Sequence, residues 1–159
     1  VAQGLDVRLI VAGTPFAGYE WYVDELVARA GRPALSGRVE LLGYVHPTWP
    51  VLADADIVVV PSRVEPFGNT AVEAMLARRP LVASRVQGLR EIVRDGETGL
   101  LVEPGDATGL ADAIARLADD PTLAARMATS ARADALQRFS PTGYRTDMLH
   151  ALTAAAGRR

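Results

Sequence analysis

The sequence has no lysine and no cysteine; all 17 of its basic residues are arginine, and histidine occurs only at His46 and His150. Without lysine the chain can supply neither a Schiff base nor a Walker-type phosphate lysine, and without cysteine it has no thiol nucleophile and no thiolate metal ligand. Neither histidine has a second one nearby, so no metal site is expected from spacing. One-signed charge is missing too. The 17 basic and 19 acidic residues leave a net charge of −2, which gives no footprint for nucleic acid. No apolar run approaches the ~18 residues that span a bilayer. The opening Val1-Ala2-Gln3-Gly4 has no charged n-region, no signal-peptide core and no initiator Met, so a piece of a longer protein is expected. Zero cysteine fits a cytoplasmic setting. What remains for chemistry is carboxylates, arginines, hydroxyls and backbone amides.

The 159 residues suit one domain over 1–159, large enough to hold a core without disulfides or metals. Short β-branched runs alternate with amphipathic stretches. Strands are expected at Val7–Ala12, Val39–Val45, Ile57–Val60, Leu81–Ala83 and Gly99–Val102. Helices are expected at Trp21–Ala30, Trp49–Ala53, Asn69–Ala77 and around Leu89–Val93. Ile57-Val58-Val59-Val60 is apolar on both faces, as an interior parallel strand is. The alternation predicts an α/β fold with a parallel sheet. From Asp106 onward the pattern is helical. Leu110, Ile114, Leu117 and Ala118 make one stripe, and Tyr144, Met148 and Leu152 make another. Asp120-Pro121 and Ser140-Pro141 each set a capping residue before a proline suited to the first helical position. Trp21 and Trp49 read as packing residues, and His150 as a surface residue.

The most informative segment runs Val58-Val59-Val60-Pro61-Ser62-Arg63-Val64-Glu65-Pro66-Phe67-Gly68-Asn69-Thr70-Ala71-Val72-Glu73-Ala74-Met75. A buried strand ends, a loop passes through Gly68, and a helix begins. In open α/β sheets ligands bind beyond the carboxyl ends of the strands. Free N–H groups and the dipole at a helix start favour anionic oxygens, and glycine lets a ligand approach the backbone. Glu65 lies in the loop and Glu73 in the helix, roughly 7–8 Å further along at ~1.5 Å per residue. Two carboxylates flanking an anion pocket can hold sugar hydroxyls at both ends of a phosphate bridge.

Glu65-x7-Glu73, with Pro-Phe-Gly after the first acid and Ala-Met after the second, resembles the signature of retaining GT-B glycosyltransferases of family 4, the glycosyl transferases group 1. Val7–Gly13, Val39–Val45, Gly88-Leu89-Arg90-Glu91-Ile92-Val93 and Asp95–Asp106 follow the same family's pattern, so the resemblance covers essentially the whole chain. It implies a Rossmann-like parallel sheet with helices on both faces, ending in several helices: the C-terminal, donor-binding half of a GT-B fold. Residue by residue, it implies that Glu65 binds the transferred sugar near the reacting centre. The amides of Phe67, Gly68 and Asn69 would meet sugar and phosphate. Glu73 would hold the ribose, and main-chain groups at Tyr44 and Val45 the base. Arg63 is near enough in sequence to be a phosphate candidate, but the pattern does not require it. The donor would be a nucleotide-diphosphate sugar, with no cofactor and no metal.

The resemblance also implies what lies outside the chain. The family's Gly-Arg…Lys-Gly diphosphate clamp, the first strand of this half, and the acceptor-binding N-terminal domain would all precede Val1. Any peripheral membrane association would belong largely to that absent half. Without the first strand, the sheet is expected to be rearranged or completed by another chain. Arg78-Arg79-Pro80 stands where the family often has a glycine, so Arg78 is expected to take a left-handed conformation with some strain. The function implied is the donor-binding part of a retaining glycosyltransferase, inactive as this piece. The competing expectation is a non-catalytic nucleotide-sugar-binding or regulatory module.

Overall fold

The computed structural model describes residues 5–157. The chain divides into two compact units, residues 1–48 and 49–159. In the first unit, β1 (Leu9–Ala12) is followed by α1 (Glu20–Ala30), a 3-10 turn at Pro33–Leu35, and β2 (Val39–Gly43). β1 pairs with β2 in parallel, Leu9 opposite Val39 and Ala12 opposite Gly43, with one irregularity between Val11 and Ala12. Ion pairs Arg8–Glu40 and Arg38–Asp6 brace the same edge. Trp21, read from the sequence as a packing residue, is 58% exposed, and its ring meets those of Tyr19 and Tyr22, tilted and edge-on.

The second unit is built from α2 (Trp49–Asp54), β3 (Val58–Val60), α3 (Asn69–Leu76), β4 (Leu81–Ser84), α4 (Gln87–Ile92), β5 (Leu100–Val102), α5 (Ala107–Asp119), α6 (Pro121–Arg138) and α7 (Pro141–Ala156). Its three strands lie in the order β3-β4-β5, all parallel. Strand β4 shows why both faces are covered. Successive side chains point to opposite faces. Leu81 and Ala83 join a cluster with Val58, Met75, Leu89, Ile92 and Ala131, whereas Val82 joins Leu100, Leu117, Leu123 and Met127. The expected parallel sheet with helices on both faces is therefore what forms. Alanines 71, 74, 131 and 135 are buried where α3 packs on α6, so the two helices approach closely.

The helix starts follow the expected punctuation. Asp106, Asp120 and Ser140 accept hydrogen bonds from the amides of Gly109, Leu123 and Gly143 at 2.9, 2.9 and 3.0 Å. Proline follows directly at 121 and 141. β4 and β5 are tied by Arg85, which pairs with Asp95 at 2.5 Å, while Asp95 accepts the Leu101 amide at 2.9 Å. Partial burial pushes the Asp95 carboxyl up, but the Leu101 amide and the Arg85 guanidinium together hold it below the ordinary carboxylate range.

The strands do not make one continuous sheet. Among the described residues β1 pairs only with β2, and β3 only with β4, so each is an edge strand of its unit's sheet. Arg78 takes φ 56°, the one described non-glycine residue with positive φ. Its guanidinium donates to Thr129 Oγ1 at 3.0 and 3.2 Å. Arg78→Ala loses those bonds and keeps the strain, whereas Arg78→Gly loses them and releases it. Denaturant unfolding is expected to show Arg78→Gly more stable than Arg78→Ala by ~1 kcal/mol. Equal midpoints for the two variants would remove the strain argument.

Candidate functional site

Strand β3 stops at Val60, and the loop from Pro61 to Gly68 carries the chain to the start of α3. Gly68 is the cap residue, with φ 114° and ψ 51° and no side-chain cap. Glycine is demanded there twice. The conformation is left-handed, and a Cβ would lie 2.7 Å from Leu89 Cδ2. The first helical amides with internal partners are those of Ala71 and Val72, both bonded to Gly68 O. The amides of Phe67, Gly68, Asn69 and Thr70 have no acceptor among the described residues. They and the dipole of α3 make the expected electropositive helix start.

Glu65 and Glu73 bracket that start. Glu65 is half-buried in the loop. Glu73 lies one turn into α3, about 6 Å along the axis from Asn69. Phe67 is 49% exposed, and Asn69 is exposed at the first helical position. Glu65, Phe67, Gly68, Asn69 and Glu73 thus come together on one loop and one helix. Tyr44 and Val45 belong to the first unit, where they follow β2 beyond Gly43. Tyr44 is 75% exposed and Val45 half-buried. Arg63 is an exposed loop arginine with no ion pair among the described residues.

What holds the loop was not visible in the sequence. It lies along the first turn of α4. The Glu65 amide donates to Gln87 Oε1 at 3.1 Å, and the Gly88 amide donates to Glu65 O at 3.1 Å. A Cβ on Gly88 would sit 2.2 Å from Phe67 O and 2.6 Å from both Phe67 Cα and Pro66 O. From another side, the Phe139 ring meets Phe67 edge-on, centroids 6.0 Å apart at 89°. The Arg138 guanidinium sits 4.9 Å from the Phe139 centroid and bonds to buried Asp134 at 2.8 Å. The sequence signalled Gly88 as a helix start within the family-like segment Gly88–Val93, without showing what it packs against, and gave no signal for Gln87, Asp134 or Phe139.

Two shallow hollows lie away from these residues: one of ≈390 Å³ in the first unit, lined by Asp6, Val7, Arg8, Ser36, Gly37 and Arg38, and one of ≈450 Å³ at the far end of α3. The second is lined by Trp49, Ala53, Leu76, Ala77, Arg79 and Arg132, so Trp49, read from the sequence as a packing residue, is 47% exposed and forms part of its wall. Among the described residues no helix is long and apolar enough to cross a membrane.

The family described as glycosyl transferases group 1 matches residues 1–120. A D-inositol 3-phosphate glycosyltransferase of Catenulispora acidiphila is 48% identical over 145 residues, which is 86% of this chain and 33% of that protein. An alpha-D-kanosaminyltransferase of Streptomyces kanamyceticus is 37% identical over 131 residues, 81% of this chain and 33% of that one. The chain therefore spans about a third of the length of these relatives. Among solved structures, Anabaena Alr3699/HepE in complex with UDP superposes with a TM-score of 0.91 at 34% identity, over 96% of this chain and 43% of that one. The same Anabaena protein in complex with UDP-glucose gives 0.87 at 34% identity, again over 96% and 43%.

Proposed function

The chain belongs to the glycosyl transferases group 1 family, and from that premise we propose that it is the donor-binding part of a retaining glycosyltransferase. In this reading it binds a nucleotide-diphosphate sugar, and the longer protein transfers the sugar to an acceptor. The observation that carries it is the pair Glu65 and Glu73 on either side of a helix start with unsatisfied amides. The Anabaena relative, which holds UDP in one structure and UDP-glucose in another, supports the ligand class.

The mechanism follows from where charge develops. Departure of the diphosphate leaves negative charge on its oxygens beside an oxocarbenium-like sugar. Preorganised amides and a helix dipole stabilise that charge without reorganising. The amides of Phe67, Gly68 and Asn69 take the sugar–phosphate end, and Glu65 accepts from sugar hydroxyls near the reacting carbon. Glu73 accepts from the ribose, and the main chain at Tyr44 and Val45 meets the base. The acceptor attacks from the face the phosphate leaves, so the phosphate takes its proton and configuration is kept. Within this chain fixed dipoles carry the electrostatics in this reading, which calls for no divalent ion. The work is done in the cytoplasm.

Calorimetric titration with UDP-, GDP- and ADP-sugars tests the donor assignment, and binding of none of them sinks it. Glu73→Ala is expected to weaken nucleotide binding by ~0.5–3 kcal/mol through lost ribose hydrogen bonds. Unchanged affinity would remove the role given to Glu73. We also propose that the 159-residue chain binds donor without transferring it, since it spans about a third of its relatives. Release of nucleoside diphosphate with sugar transfer by the purified chain would overturn that.

A further inference from the structure

Glu65 is the residue whose direction matters most in the proposed site, and its backbone is fixed on both sides of its Cα. Its N–H donates to Gln87 Oε1 at 3.1 Å, and its C=O accepts from the Gly88 N–H at 3.1 Å. The two peptide planes flanking a Cα determine where its Cβ points. The consecutive residues Gln87 and Gly88 therefore set the direction in which the Glu65 side chain, and the carboxylate it carries, leaves the main chain. The Gly88 half of this clamp is main chain and would survive most substitutions that fit. The Gln87 half is a side chain, 22 residues away in sequence.

The core does not explain a glutamine at this position. Gln87 is exposed, on the first turn of α4, and the helix gains no side-chain cap from it. Its carbonyl is engaged by one group, the Glu65 amide, and its Nε2 makes no hydrogen bond among the described residues. Without that acceptor the Glu65 amide would lose its only partner among the described residues. The peptide plane before Glu65 would then be free to rotate, while Gly68, at the start of α3, would stay beside Leu89 and Ile92.

We propose that Gln87 is a positioning residue that sets the direction of the Glu65 carboxylate and, through it, the part of donor affinity that depends on the sugar. The inference rests on the proposed function, because it assumes that Glu65 meets the sugar. It separates two halves of the site that otherwise behave as one. The nucleotide half, at Glu73 and the α3 amides, does not depend on Gln87. The sugar half does.

The test compares each nucleotide sugar with its parent diphosphate. UDP-, GDP- and ADP-glucose, and UDP, GDP and ADP, are titrated into the wild-type chain, and the tightest pair is carried forward. The readout is the ratio of the two dissociation constants, which a general loss of stability does not move. Gln87→Met and Gln87→Ala both remove the acceptor. Each is expected to leave diphosphate affinity within about twofold and to lower the sugar's relative affinity by roughly threefold to tenfold, the size of one hydrogen bond. Gln87→Glu keeps an acceptor for the Glu65 amide and is expected to restore the wild-type ratio to within about twofold. An unchanged ratio in Gln87→Met and Gln87→Ala overturns the inference and leaves the donor assignment intact. So does a ratio in Gln87→Glu as low as in the other two. Absence of binding to every donor in the wild type removes the donor assignment and the inference with it.

Discussion

Gly88→Ala is expected to destabilise the second unit by about 3 kcal/mol and to weaken nucleotide-sugar binding by more than tenfold. The reason is the chemistry of what a Cβ would meet. Phe67 O at 2.2 Å, Phe67 Cα at 2.6 Å and Pro66 O at 2.6 Å are all backbone atoms, with no rotamer to swing away. Either α4 retreats from the loop or the loop moves. Retreat also breaks the Gly88–Glu65 hydrogen bond and opens the contact between Gly68 and Leu89. Movement of the loop shifts the amides of Phe67, Gly68 and Asn69 that the donor would meet. Gly96→Ala is the control. A Cβ there meets nothing within 4 Å, and only its φ of 78° is unfavourable. Its cost is expected to be about 1 kcal/mol, with donor binding unchanged. Urea unfolding at constant m-value and calorimetry read both variants. Wild-type stability and affinity in Gly88→Ala would show that α4 and the loop are not in the contact described.

The contrast between those glycines marks what a sequence can show. Gly96 follows Asp95 in a turn pattern that sequence alone identifies, because the cause of its conformation is local. Gly88 was legible as a helix start in a family-like segment but not as a contact, because its cause is a loop more than twenty positions away. The same division runs through the fold. Asp120-Pro121 and Ser140-Pro141 announce their helices because capping acts within three residues. The strands were legible from their β-branched runs, and Arg78's left-handed turn from the resemblance to a family that often has a glycine there. Which strand pairs with which was not, since parallel pairing joins segments far apart in sequence. Periodicity also reports that a face is apolar, not that anything covers it. Tyr144, Met148 and Leu152 form the stripe expected of α7, and all three are exposed. In the site, Glu65, Gly68 and Glu73 stood out because one loop and one helix carry them. The groups that hold the loop, from α4 and α6, did not.

Asp134→Asn is expected to cost roughly 2–3 kcal/mol, an unusual amount for an isosteric change. The Asp134 side chain is only 3% exposed, and it pairs with Arg94 through one oxygen and with Arg138 at 2.8 Å through the other. Asparagine keeps the shape but removes the charge, and turns one of the two acceptors into a donor facing a guanidinium. The arginine side chains are 53% and 34% exposed, so water relieves part of the loss and the lower end of the range for broken buried pairs applies. The two arginines are not equivalent. Arg138 also donates to Ile92 O at 3.1 Å and to Glu91 O at 2.6 Å, satisfying carbonyls at the end of α4. It is also the residue whose guanidinium lies over Phe139, itself against Phe67. Arg138→Ala is therefore expected to be more destabilising than Arg94→Ala, by about 1 kcal/mol. A double-mutant cycle between Asp134 and Arg138 should give a coupling of about 1 kcal/mol or more. The cycle with Arg94 should give less. Equal costs for the two arginine variants would mean that the carbonyls of α4 are satisfied without Arg138. The connection from α6 to the loop would then be one of packing alone.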